Sequence, residues 1–162
     1  MKVALALGSN HGNRKQYLFK AIKELNDKKY LSEILCSTIY ETPALLLPGS
    51  PAEWDKDFLN CIIVGNTTYA VSELLALIKD IEISLGRSNE KKWSPREIDI
   101  DILLYENLYV STPDIQVPHK SMLERNFVLL PLKEVASEWQ YPGPGRYNNL
   151  TISSIVREKY DI

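Results

Sequence analysis

Two amphipathic helical stretches, four strand-like runs and the order in which they alternate predict an α+β fold for this 162-residue chain. The helical stretches, 14–28 and 70–85, repeat apolar residues at three- and four-residue spacing. The runs 2–7, 31–40, 58–66 and 98–104 are short, rich in apolar or β-branched residues, and most are bounded by turn residues. Taken together the order is β-α-β-β-α-β, the split βαβ or ferredoxin-like arrangement, followed by C-terminal β and helical additions.

Each element has its reason in the residues. Residues 2–7 are apolar and end at Gly8-Ser9-Asn10, which marks a buried strand running into a loop. In 14–28, Tyr17, Leu18, Ala21, Ile22 and Leu25 share a helical face, and Asn13 is the expected N-cap. Residues 31–40 read as one β-rich strand with Ile34, Cys36, Thr38 and Tyr40 on a common face. The stretch 42–57 carries Pro43, Pro48, Gly49, Ser50 and Pro51 and has no periodicity; 58–66 is a second long strand. In 70–85, Leu74, Leu75, Leu77, Ile78, Ile81 and Leu85 point inward, and Gly86 stops the helix. An irregular stretch, 87–97, leads into the last strand of the core. Beyond it, 108–110 is a short edge strand, and Val117-Pro118-His119 is extended because residues before proline avoid the α region. Residues 126–136 are an apolar helix broken by Pro131, 141–147 is turn material, and 151–160 is a closing helix.

The chain is read as one domain spanning 1–162, long enough to bury a proper core. A net charge of −2 argues against a general nucleic-acid surface, which needs a basic field. No apolar run has the length of a membrane span, and Met1-Lys2-Val3 leads into a strand pattern rather than a signal peptide. Cys36 and Cys61 have no partner motif for zinc and are read as buried free thiols of a reducing compartment, which places the chain in the cytoplasm.

The chemistry concentrates around 92–104, Lys-Trp-Ser-Pro-Arg-Glu-Ile-Asp-Ile-Asp-Ile-Leu-Leu. Asp99 and Asp101 interrupt an otherwise apolar strand. Alternation puts both carboxylates on one face, about 7 Å apart, with isoleucines on the other. Two anions at that separation repel unless something positive lies between them. A hard divalent cation such as magnesium suits them, because it keeps sites open for phosphate oxygens. An edge strand with a solvated acidic face is the alternative, and the upstream Trp, Pro and cations favour the metal.

With right-handed crossovers, three connections meet at one end of the sheet: the loop after Gly8, the long stretch 42–57, and 87–97 with the start of the Asp strand. Loops of more than about 12–15 residues in a compact domain are usually functional lids or disordered, and one of these, 42–57, reaches that length. Gly8-Ser9-Asn10-His11-Gly12-Asn13 lies between strand and helix but matches neither phosphate-loop pattern, so a tight turn with an Asn cap is the favoured reading. Arg87, Lys91, Lys92 and Arg96 stand within ten positions of each other, a suitable charge for a polyphosphate beside metal carboxylates. Trp93 either closes over a flat heterocycle or anchors its loop. Phe58 and Asn60 share one face at the start of a strand and offer an apolar slot with an amide. His119 is either structural or a phosphate or metal contact, and Glu82 is ordinarily a solvated helix residue. No Ser-His-Asp order, Cys nucleophile or HExxH points to covalent catalysis.

The run 92–104 resembles the signature of the 6-hydroxymethyl-7,8-dihydropterin pyrophosphokinase family of folate biosynthesis. Four further pieces agree in order: Ala6-Leu7-Gly8-Ser9-Asn10, Tyr40-Glu41-Thr42-Pro43, Phe58-Leu59-Asn60, and Val117-Pro118-His119 with Arg125 and Phe127. The resemblance implies transfer of the β,γ-pyrophosphoryl unit of ATP to the pterin hydroxymethyl group, releasing AMP. It implies two magnesium ions on Asp99 and Asp101, with Arg87 and Arg96 on phosphate. It places the pterin among Gly8, Thr42, Pro43, Leu45, Phe58, Asn60, Trp93 and Phe127, and ATP near Glu82, Lys92, Arg96, Ile102, His119 and Arg125. It also implies partners no larger than ATP and a reduced pterin, apart from folate enzymes to which related domains are fused. The chain departs from the pattern at Ser88-Asn89-Glu90, where the family often has a second Arg, and at Asp114 and Gln116, where some members place Arg and Thr. Two rival readings are another metal-dependent phosphoryl or nucleotidyl transferase and a ferredoxin-like regulatory module without turnover.

Overall fold

The computed structural model describes residues 1–44, 46–86 and 95–162. Its elements are β1 (Lys2–Ser9), α1 (Arg14–Asp27), β2 (Ser32–Cys36), β3 (Tyr40–Thr42), β4 (Phe58–Asn66), α2 (Val71–Ser84), β5 (Asp99–Tyr105), β6 (Val110–Ser111), β7 (Gln116–Val117), α3 (Asn126–Ala136) and α4 (Ile152–Tyr160). The main sheet is antiparallel and carries helices on both faces. Its strands run in the order β2-β4-β1-β5, with β3 paired to β4 beyond the end of β2, and every pairing is antiparallel.

Alternation along the central strands feeds two cores. On one face Val3, Leu5, Leu7, Cys61, Ile63, Ile98, Ile100 and Ile102 meet Leu18, Ala21 and Leu25 of α1 and Leu74, Ile78 and Ile81 of α2. On the other, Ala4, Ile62, Val64, Leu103 and Leu104 meet Val128, Leu129 and Leu132 of α3 and Ile152, Ile155 and Val156 of α4. Each fully buried Leu or Ile contributes about 1.5–3 kcal/mol, so both layers are strong clamps. The register between β1 and β5 jumps from Ala4–Leu104 to Leu5–Ile102 and leaves Leu103 as an extra residue. That bulge lets Leu103 and Leu104 both reach the α3/α4 core.

Local chemistry explains the helix ends. Asn13 Oδ1 accepts from the Gln16 amide at 3.1 Å, as an N-cap should. Thr151 caps α4 by accepting from the Ser154 amide. Gly86 follows α2 with φ of +103°, a conformation that glycine adopts without steric cost.

Four expectations are corrected. Cys61 is buried as expected but Cys36 is exposed, because it lies on β2, the outer strand of the sheet. The single strand over 31–40 is two strands, β2 and β3, because Ser37 interrupts the ladder. Its amide donates to the Ile62 carbonyl at 2.8 Å, and its own hydroxyl accepts from the Ile62 amide at 2.9 Å. A side chain takes the place of the carbonyl acceptor, so the alternation on that edge is lost. The helix over 126–136 is not broken at Pro131, which lies buried inside a continuous α3. A mid-helix proline costs about 3 kcal/mol, and burial of Val128, Leu129, Leu132 and Ala136 on the same helix outweighs it. The strand expected at 108–110 begins at Val110, and it pairs with β7 in a separate two-stranded sheet instead of edging the main one. Among the described residues no helix is long and apolar enough to cross a membrane.

Candidate active site

The register brings the site together row by row. Tyr40 pairs with Asn60, Asn60 with Gly8, and Gly8 with Asp99, so one row crosses four strands. Two residues further in, Ile62, Ala6 and Asp101 form the next row. Asp99 and Asp101 therefore face away from the α1/α2 core, whose side of the strand is taken by Ile98, Ile100 and Ile102.

A pocket opens over these two rows. Its walls include Ala6, Gly8, Tyr40, Thr42, Pro43, Phe58, Asn60, Arg96, Asp99, Asp101, Arg125 and Phe127. Ten of the residues proposed from the sequence thus converge: Gly8, Thr42, Pro43, Phe58, Asn60, Arg96, Asp99, Asp101, Arg125 and Phe127. Gly8 forms the floor. A Cβ there would lie 3.1 Å from Asn60 Oδ1 and 3.3 Å from the Phe58 ring, so only glycine leaves both side chains where they are. The Asn60 amide is fixed by donating from Nδ2 to Thr42 Oγ1 at 2.8 Å, which presents a flat apolar slot with one amide edge. The Arg125 guanidinium lies 5.7 Å from the centre of the Phe127 ring.

The charged end of the pocket is equally ordered. Arg96 Nη1 lies 3.3 Å from Asp99 Oδ2, and about a quarter of each side chain is exposed. Asp101 also lines a second groove, together with Leu75, Ile102, Asp114, Ile115, Gln116, Val117, His119 and Lys120. The two cavities thus share Asp101. His119 Nδ1 accepts from the Ser121 amide at 3.1 Å, which leaves Nε2 as the protonated nitrogen of the neutral ring. Burial, with the cations of Arg125 and Lys120, holds His119 below the usual histidine range, and Asp99 pulls weakly the other way.

Glu82 departs from the ordinary reading of a solvated helix residue. It is buried, and Oε2 accepts from the Ile100 amide at 2.8 Å. Ile100 lies between the two aspartates, so Glu82 fixes the backbone that spaces them. It lines neither cavity. The expectations for Leu45, Arg87, Lys91, Lys92 and Trp93 lie outside the described residues. Among the described residues no cluster of three or more His, Cys, Asp or Glu is placed to hold a metal. Asp99 and Asp101, two carboxylates on one strand face, are the residues that could hold a metal, and magnesium takes such a pair when phosphates complete its shell.

The turn after β1 holds residues that sequence reading did not single out. Asn10 is 2% exposed and hydrogen-bonds to two other segments. Arg14 Nη1 donates to Glu41 and to the Asp57 carbonyl, which joins α1 to both ends of the long loop. The sequence signals were a polar turn between a buried strand and a helix and, for Asn10, its place in the Ala6–Asn10 piece of the resemblance, neither of which assigns a contact.

Comparison with known proteins decides the family. A family model described as 7,8-dihydro-6-hydroxymethylpterin-pyrophosphokinase (HPPK) matches residues 4–137. The chain belongs to the HPPK family. A relative from Aquifex aeolicus named 2-amino-4-hydroxy-6-hydroxymethyldihydropteridine pyrophosphokinase is 39% identical over 140 residues, 86% of this chain and 83% of that one. A folate synthesis bifunctional protein of Chlamydia caviae is 45% identical over 128 residues, 78% of this chain. This chain's match spans 28% of that longer relative. In three dimensions it resembles HPPK-DHPS of Plasmodium falciparum in a structure with pteroate. The TM-score is 0.68 at 18% identity, covering 99% of this chain and 44% of the other. The family's matched segment contains both cavities and every residue named in them.

Proposed function

We propose that this chain transfers the β,γ-pyrophosphoryl unit of ATP to the hydroxymethyl oxygen of 6-hydroxymethyl-7,8-dihydropterin and releases AMP. The observation that carries this reading is the position of Asp101 in the wall of both cavities, with the Gly8–Phe58–Phe127 slot on one side and the groove beside Ile102, His119 and Lys120 on the other. A transfer enzyme must hold two substrates against a shared charged centre.

In this reading the pterin occupies the slot over Gly8, between Phe58 and Phe127, with Asn60, Thr42 and Pro43 along its edge. The nucleotide lies in the groove beside Ile102 and His119, whose neutral Nε2–H donates to a phosphate oxygen. Asp99 and Asp101 would hold magnesium, up to two ions, which supply charge neutralisation on the phosphates and acidify the attacking hydroxyl. Arg96 and Arg125 stand on the pocket side of the carboxylates and take up charge on the phosphate oxygens. The pterin oxygen forms the new bond to the β-phosphorus as the bond from that phosphorus to the α–β bridging oxygen breaks. The hydroxyl's proton passes to solvent water, and AMP leaves with the bridging oxygen. The described residues of the pocket offer no strong base, which fits a reaction driven by positioning and charge. Glu82 acts on the ATP side indirectly, through the strand. Arg87, Lys92 and Trp93 are proposed to complete phosphate and pterin contacts from the loop, and Leu45 from the other side.

The sheet order, with β2 and β3 following one another along the same side of β4, supports a ferredoxin-like split βαβ core. An enzyme consuming ATP in this way is proposed to work in the cytoplasm, beside other folate enzymes. The test is incubation with ATP, magnesium and the pterin, followed by chromatography of the adenine products. AMP that forms only when pterin is present supports the reading. ADP, or free pyrophosphate, transfers the site to another class of phosphoryl chemistry, and binding without turnover makes it a regulatory module.

A further inference from the structure

Asn10 sits at a junction outside the lining of both cavities. Its backbone amide donates to the Arg96 carbonyl at 3.0 Å, and its side-chain Oδ1 accepts from the Arg96 amide at 2.8 Å. Its other side-chain atom, Nδ2, donates to the Lys56 carbonyl at 3.1 Å. The residue is almost wholly buried, so these bonds form out of competition with water. One amide group thus grips two chain segments with two different atoms.

The segments serve opposite sides of the site. Arg96 carries the guanidinium beside Asp99 Oδ2. Pro95 has no amide hydrogen, so the Arg96 amide is the first donor that this described segment can offer. Pairing it at both amide and carbonyl sets where the guanidinium starts from. Lys56 stands two residues before Phe58, the slot wall that faces Thr42 across the β3–β4 pair. Holding its carbonyl sets how the long loop enters β4.

We propose that Asn10 is a positioning residue with two separable functions, Oδ1 placing Arg96 for the phosphate side and Nδ2 placing the Phe58 wall for the pterin side. The proposal rests on the pyrophosphokinase reading above. Asn10→Asp separates the functions, because it is isosteric, keeps an acceptor for the Arg96 amide and turns the Lys56 contact from attraction to repulsion. Asn10→Ala removes both.

The experiment combines steady-state AMP formation with amide hydrogen exchange at Arg96. In Asn10→Asp the pterin KM rises about tenfold while kcat stays within about twofold of wild type. In Asn10→Ala kcat also falls, by about threefold to tenfold, the worth of one net hydrogen bond. The Arg96 amide stays protected in wild type and Asn10→Asp and exchanges faster in Asn10→Ala. A general structural role moves both variants together, so equal losses of kcat and KM in the two overturn the proposal. Retained Arg96 protection in Asn10→Ala overturns it as well. If Asn10→Ala does not fold, Asn10→Asp decides alone, and a kcat loss there as large as its KM change counts against the assignment. Absence of AMP from wild type refutes the pyrophosphokinase reading, and the exchange data then still report on the Arg96 tie.

Discussion

The sheet face that carries the site has two ends built from the same three strands on different rules. At the closed end, Ala4 of β1, Val64 of β4 and Leu104 of β5 lie under α3 and α4 and are buried. At the open end the corresponding rows read Gly8, Asn60 and Asp99, then Ala6, Ile62 and Asp101. Along β5 the side chains pass from leucine to carboxylate, and along β1 from alanine to glycine. Bulk and apolarity fill the end that packs; small residues and charge leave space at the end that works. A strand can serve both because alternation confines the charge to one face, while Ile98, Ile100 and Ile102 hold the other in the core.

The sharpest break of this contrast is at the carboxylates. Asp101→Asn or Asp99→Asn is expected to lower turnover by about a thousandfold, several kcal/mol of lost charge stabilisation, with melting unchanged. AMP formation and a thermal melt on one preparation check both halves, and wild-type activity in either variant removes the metal from the reading. At the closed end the signs reverse. Leu104→Ala should cost about 2–5 kcal/mol of stability through the cavity it leaves. Denaturant unfolding measures this, and activity per folded molecule should be retained. Gly8→Ala lies between the two ends in kind. Its Cβ would push on Asn60 Oδ1 at 3.1 Å, so pterin affinity should fall about tenfold with little change in unfolding midpoint, as calorimetric titration would show. The smallest effect is on proton affinity. His119 should titrate below about 6.5, seen as its imidazole shift in an NMR pH series. Because its folded midpoint is depressed, protons favour the unfolded chain. The stability it confers is present above the unfolded midpoint and is lost as pH falls towards the folded one.

Much of the fold was legible because its signals are local. Helical spacing in α1 and α2, the Asn13 cap and the Asp-x-Asp alternation in β5 each follow from neighbours a few positions apart. The break between β2 and β3 was not legible, since Ser37 acts by pairing with Ile62, a partner 25 positions away. Pro131 misled for a related reason: the cost of a proline is local, whereas the burial that offsets it is tertiary. In the site, the two aspartates and Phe58-x-Asn60 could be read from strand alternation alone. Glu82 and Asn10 could not, because each is defined by a backbone group it holds from afar. Glu82 bonds Ile100 and Asn10 bonds Arg96 and Lys56. A carboxylate that satisfies a distant amide looks, in sequence, like any surface acid.

The bond from Ile100 to Glu82 also bears on solubility. β5 is the last strand of its sheet, and an outer strand ordinarily offers unpaired amides and carbonyls to any passing chain. Here Glu82 occupies the Ile100 amide, and the His119 amide occupies the Leu103 carbonyl at 2.9 Å. Two rungs of the outer ladder are already taken, one by a helix side chain and one by the segment leaving β7. The strand whose face lines the cavities thus has part of its free edge occupied from within the chain.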